Sequence, residues 1–129
     1  MAVLDHHHQH LQRRWAQEKG RLEDRRQQLL VAAGKASTAL RERWPTLAGV
    51  WLFGSVLKPT AFQRHSDLDL VVESLPAAAQ LEALGIVEHV VDSIMAGAGL
   101  HGIAIDLARL EDLPPHWQDR LRSQALALT

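Results

Sequence analysis

Two short apolar runs limit what this chain can become: Leu47-Ala48-Gly49-Val50-Trp51-Leu52-Phe53 and Leu68-Asp69-Leu70-Val71-Val72. Each is bounded by turn-forming residues and has the length of a buried strand. Gly54-Ser55 closes the first, and Ser66-Asp67 leads into the second. Side chains alternate along a strand, so Asp67 and Asp69 share one face while Leu68 and Leu70 point to the other, toward a core. Charges are depleted inside strands, which sets this pair apart from ordinary surface acids. Two carboxylates on one face repel each other unless a cation lies between them. Mg²⁺ suits the pair, because it takes hard oxygen ligands and shares its shell with substrate phosphates. The Gly54-Ser55 turn is the matching phosphate-binding element. Glycine allows close approach of the backbone, and free amides and the Ser55 hydroxyl can meet an anion. A Gly-Ser after a strand is in most chains only a turn, and the two aspartates downstream give this one its weight.

The rest of the chain reads as helices and one more strand. Residues 9–43 form one long helix, with Gly20 and Gly34 as the positions where it would break. Leu11, Trp15, Leu22, Leu29, Ala33, Ala36 and Leu40 fall on one side of it. The stripe is narrow from Trp15 to Leu29, as in a helix that projects or pairs with another, and widens from Leu29 to Leu40, where it docks on the body. Pro45 ends the helix. A short helical turn follows Gly54-Ser55 through Lys58, and residues 59–66 are a loop. Pro76 opens a helix whose apolar face is Leu81, Leu84, Val87, Val90, Val91, Ile94 and Met95, ended by Gly97 and Gly99. Ile103, Ile105 and Leu107 alternate with Ala104, Asp106 and Ala108, the period of a third strand. Pro114-Pro115 starts a final helix anchored by Trp117, Leu121 and Leu126. The order α-β-β-α-β-α, with few strands, implies an α/β or α+β sandwich, a small sheet packed with helices. The chain divides into a helical extension, 1–45, and a body, 46–129.

Asp106 lies on the face opposite Ile105 and Leu107. If the third strand neighbours the second, Asp106 joins Asp67 and Asp69. Three convergent carboxylates suit divalent metals and phosphoryl or nucleotidyl transfer. The alternative is three exposed aspartates at strand ends.

Charge and composition narrow the class. The 129 residues suffice for one core. Net charge is −1, divided between a basic extension (nine Lys/Arg against five Asp/Glu in 1–45) and an acidic body (five against ten in 46–129). That balance suits a solvated, arginine-rich helix, or an arm that meets an acidic partner or RNA, while the whole chain is not basic enough for a dedicated nucleic-acid binder. No apolar run is long enough to span a membrane. The N-terminus lacks the apolar core of a secretion leader, and cysteine is absent, so a cytoplasmic protein is expected.

Val50-Trp51-Leu52-Phe53-Gly54-Ser55, eleven further residues, then Asp67-Leu68-Asp69-Leu70 resembles the signature of the polymerase-β-type nucleotidyltransferases. The small chain is most similar to the minimal nucleotidyltransferase (MNT) group, including the antitoxins encoded beside HEPN ribonuclease toxins. The resemblance runs from about Val50 to Leu113. It implies a polymerase-β-like core with Asp67, Asp69 and Asp106 as catalytic and metal-binding carboxylates. It also implies that Gly54, Ser55 and Lys58 bind the nucleotide, with Lys58 standing where many members carry an arginine. The chain departs from the pattern in a Gly-Ser to Asp spacing about one residue longer, in Pro59 for a frequent glycine, and in the long first helix. The implied activity is Mg²⁺-dependent transfer of AMP from ATP to a tyrosine of a HEPN-type toxin. The chain has no tyrosine of its own, so such an acceptor must belong to another chain.

Two other readings stand beside this one. The chain could be a binding module that masks a toxin without chemistry, using its first helix, or it could transfer a nucleotide to a small molecule. A homodimer through the first helix is also open. His6, His7, His8 and His10 are expected to be a disordered head rather than a metal site. His65 and His101 are weak candidates for the site. Trp15 is either a partner contact or buried on the chain's own body, while Trp44, Trp51 and Trp117 are core or core-edge anchors. Glu73 and Asp92 are expected at the surface.

Overall fold

The computed structural model describes residues 2–63, 66–97 and 102–129. The first helix, α1 (Ala2–Arg43), is followed by β1 (Gly49–Phe53), β2 (Leu68–Glu73), α2 (Gln80–Gly97), β3 (Ile105–Arg109), α3 (Pro115–Gln124) and β4 (Leu126–Ala127). Single 3₁₀ turns occupy Ser55–Leu57, Ala77–Ala79 and Leu110–Asp112. The strands form one mixed sheet in the order β3-β2-β1-β4. β1 runs antiparallel to β2 and β4, and β2 runs parallel to β3. A parallel pair needs a crossover, and α2 supplies it.

Strand alternation divides the sheet into two faces. Val50 and Leu52 of β1 and Leu68, Leu70 and Val72 of β2 join the main core with α1 and α2. Trp51 and Phe53 of β1 and Val71 of β2 face the other way, against Leu121 of α3. The main core draws Leu29, Ala32, Ala33, Ala36 and Leu40 from α1 and Ala83, Val87, Val91 and Met95 from α2, all essentially without solvent exposure. The small residues of α1 let the two helices approach closely, while Leu29 and Leu40 fill the ends of the contact.

Several sequence expectations change. Helix α1 begins at Ala2 rather than residue 9 and is unbroken at Gly20 and Gly34. The histidines expected in a disordered head are exposed turns of that helix. Nothing between Ala2 and Arg43 is proline, and a glycine lowers helix propensity without removing a hydrogen bond. Leu81 was expected on the apolar face of α2 but is 81% exposed, because it overhangs the core in the first turn. The third strand begins at Ile105 rather than Ile103. Leu126 does not anchor the final helix. It lies in β4, a fourth strand that pairs with β1 through Leu52 and Trp51. Leu128 N donates to Val50 O (2.8 Å), and Arg41 Nη2 donates to Leu128 O (3.0 Å), so α1 holds this edge down. Trp15 is exposed rather than buried on the body. His65, His101 and Gly99 lie outside the described residues. No described helix is long and apolar enough to cross a membrane.

The two halves of α1 are expected to respond differently to truncation. Leu29→Ala should cost ~3 kcal/mol, as for a buried leucine, out of a total of about 5–15 kcal/mol. Trp15→Ala, at a side chain 60% exposed, should stay within ~0.5 kcal/mol of the parent. Urea unfolding followed by circular dichroism measures both.

Candidate active site

The site forms where β1 ends. Gly54 has φ 94° and ψ −161°, in the positive-φ region open to glycine. A Cβ at this position would lie 2.5 Å from Asp69 Oδ2, so any side chain would collide with the carboxylate. Glycine is required here twice over, by its torsion and by the nearness of Asp69. The register explains the contact, because Phe53, the residue before Gly54, sits opposite Asp69. Beyond Gly54 the chain tightens into the 3₁₀ turn. Leu57 N donates to Gly54 O (3.2 Å) and Lys58 N donates to Ser55 O (3.0 Å). Val56, fully buried, plugs the turn into the core.

A residue that the sequence reading missed holds this turn from outside. Arg26 of α1 donates from Nη1 to Val56 O (3.0 Å). Glu23, one helical turn earlier, grips the same guanidinium at both ends, at 2.9 Å to Nε and 2.8 Å to Nη2. Arg26 and Gln27 together lower the Glu23 carboxyl pKa to about 2, so the pair stays ionised through the neutral range. Arg26 thereby couples α1 to the Gly54-Ser55 turn. The i, i+3 spacing of Glu23 and Arg26 is visible in sequence, but the bond to Val56, thirty residues away, is not.

The strand order expected for the third strand brings two of the carboxylates level. β2 and β3 are neighbours, and Asp69 is in direct register with Asp106 on parallel strands. Asp67 precedes Asp69 by two residues. Asp67 and Asp106 are exposed and Asp69 is half-buried. Burial raises the pKa of Asp69 above the ordinary carboxylate value, and the charges of Asp106 and then Asp67 push it further the same way. Among the described residues no three acidic or histidine side chains are gathered tightly enough to form a finished metal cage. The donor set nevertheless fits a divalent ion: hard oxygens from adjacent strands, with the charges of Asp106 and Asp67 raising the cost of ionising Asp69.

Two cavities flank this centre. One, of about 240 Å³, is largely apolar and lies beside Asp69 and Asp106, walled by Phe53, Trp117 and Leu121. The other, also about 240 Å³, is lined by Gly54, Ser55, Lys58, Arg120 and Gln124. Phe53 borders both, and the Trp117 ring meets it edge-on at 5.9 Å. Helix α3 is thus a wall of the site as well as a cover for the sheet, a role that its sequence signals only through its apolar anchors.

The family model of the nucleotidyltransferase domain matches residues 34–96. Over this segment the chain is similar to that family. The match takes in Gly54, Ser55, Asp67 and Asp69, begins within the buried half of α1, and stops before Asp106 and α3. The chain matches no curated protein. Among solved structures, a toxin–antitoxin crystal structure with AMP-PNP is 23% identical over 75% of this chain and 72% of its own, with a TM-score of 0.54. A crystal structure of a mutant MntA–HpeT toxin–antitoxin is 19% identical over 75% and 71%, with a TM-score of 0.50. The likeness to both is one of fold.

The raised pKa of Asp69 carries a stability consequence. Its ionised form is a cost to the fold, absent while the carboxyl keeps its proton and incurred as pH rises through the pKa. Asp69→Asn should therefore raise the Tm of the metal-free protein at about pH 7 by roughly 2–4 °C. Such a shift corresponds to ~0.5–1 kcal/mol in a chain of this size, kept small because the carboxyl is partly solvated. The gain should vanish near pH 4, and thermal unfolding in the presence of a chelator at the two pH values measures it.

Proposed function

We propose that this chain is the antitoxin of a toxin–antitoxin pair, and that it transfers AMP from ATP to a tyrosine hydroxyl of a HEPN-type partner toxin. The observation that carries the reading is the register of Asp69 with Asp106 directly beneath the close approach of Gly54. It brings hard oxygen donors against the Gly54-Ser55 turn. The toxin–antitoxin fold neighbours, one of them with AMP-PNP, support the partner and the nucleotide. The absence of tyrosine in the sequence is consistent with an acceptor on another chain.

In this reading Asp67, Asp69 and Asp106 would hold Mg²⁺. When bound, the ion offsets charge on the phosphates and acidifies the attacking hydroxyl. Gly54 lets the phosphates come against the backbone, Ser55 donates its hydroxyl to them, and Lys58 offers a cation to the β and γ groups. Asp106 accepts the proton of the acceptor hydroxyl as its oxygen bonds to the α-phosphorus. The bond from that phosphorus to the bridging oxygen breaks, and pyrophosphate leaves with the electron pair. The extension, 1–45, serves the partner, and the body, 46–129, carries the chemistry.

A second reading is favoured by one observation, the exposed Trp15 on the projecting half of α1. Here the chain masks its toxin by contact alone. The two readings separate in one experiment. The purified chain, Mg²⁺, labelled ATP and the product of the neighbouring gene are incubated together, and the partner is weighed intact. Transfer predicts a gain of one or more AMP masses on the partner. The Asp67→Asn, Asp69→Asn double variant should reduce that gain by at least ~10²-fold, as for loss of a main electrostatic element of a transfer site. Neutralisation of the partner that survives the double variant, with no added mass, would replace the transfer reading with masking.

A further inference from the structure

Helix α3 brings a second cation to the cleft at the Gly54-Ser55 turn. Arg120 lines that cleft together with Gly54, Ser55 and Lys58. Its guanidinium lies 4.8 Å above the ring of Trp117, and Trp117 is fixed edge-on against Phe53. Phe53 is the residue before Gly54, so the chain Phe53–Trp117–Arg120 builds the cation onto the end of the strand that makes the turn. Arg120 Nε is engaged by Gln124 Oε1 at 3.1 Å, which orients the group. Among the described residues, neither Arg120 nor Lys58 forms a salt bridge with a carboxylate. An arginine stacked on an aromatic ring, with no carboxylate paired to it and lining the same cleft as the Gly54-Ser55 turn, is suited to bidentate contact with phosphate oxygens.

The two cavities assign the direction of the nucleotide. Asp69 and Asp106 line the apolar one, the two cations line the other, and Phe53 borders both. An α-phosphate bound at Asp69 and Asp106, beside the Gly54-Ser55 turn, would send its terminal phosphates toward Lys58 and Arg120 and leave the apolar side to the acceptor. We infer that Arg120, with Lys58, forms the subsite for the β and γ phosphates and for the pyrophosphate that leaves, an inference that rests on the proposed nucleotidyl transfer.

The test is calorimetric binding to the full chain, in Mg²⁺, of AMP-PNP and of AMP. Arg120 is exposed, so Arg120→Ala should keep the fold, and its circular dichroism spectrum and Tm report whether it does. The expected result is a loss of about tenfold or more in affinity for AMP-PNP, with AMP changed less than about twofold. Arg120→Lys should recover part of the loss, since it keeps the charge without the fork. Arg122→Ala, on the same helix but outside the cleft, should leave both ligands unaffected. Equal losses for AMP-PNP and AMP would overturn the inference, because Arg120 would then act only through the packing of Trp117. So would a loss in Arg122→Ala as large as in Arg120→Ala, which would reduce the effect to net charge. Unchanged AMP-PNP affinity in Arg120→Ala would overturn this subsite and leave the proposed transfer standing. A parent chain that binds neither nucleotide would overturn both.

Discussion

The parallel pairing of β2 with β3 organises the molecule. Parallel neighbours cannot be joined by a tight turn, so the chain must leave the sheet, cross one face as α2 and return. That crossover provides the surface on which the second half of α1 packs, through Leu29, Ala32, Ala33, Ala36 and Leu40. The same pairing puts Asp69 level with Asp106. The antiparallel pairing of β1 with β2 then brings Gly54 over the same carboxylate. Core and site are thus two faces of one ladder. The leucines of β2 secure the sheet from the helical side, while the aspartates between them remain available on the other.

The site is bought at the expense of the fold around it. An acid half-buried beside two others is disfavoured in its ionised form. A glycine at positive φ is the most costly residue to order. They meet where β1 and β2 pair, Gly54 just past the end of β1 and Asp69 within β2. What compensates is the buried Val56, the grip of Arg26 on its carbonyl, and the dense packing beneath Leu68 and Leu70. The repulsion is concentrated where a bound cation would relieve it.

Local signals carried much of this to the reader of the sequence. The strands at Val50–Phe53 and Leu68–Val72 follow from uninterrupted apolar runs, and the alternation at Ile105-Asp106-Leu107 correctly turned Asp106 away from the core. Features that depend on distant partners were not legible. β4 is two residues long and has no period to detect, so Leu126 read as part of a helix. Ala83 is wholly buried, yet alanine adds little to an apolar stripe, while Leu81 adds much and is exposed. Arg26 and Arg120 both sit on helices rich in charge, where an arginine reads as solvated. Only the folded chain brings one to the Val56 carbonyl and the other to the cleft at Ser55.

The unbroken course of α1 from Ala2 to Arg43 makes it a rigid pointer. At 1.5 Å per residue, the eleven residues from Trp15 to Arg26 put the indole about 17 Å along the axis from the guanidinium that holds the Val56 carbonyl. Each residue also turns the helix by about 100°. Removing a single residue between the two would therefore shorten the reach only slightly but swing Trp15 through more than a quarter of a circle around the shaft. Bearing, far more than distance, is the quantity that this helix encodes.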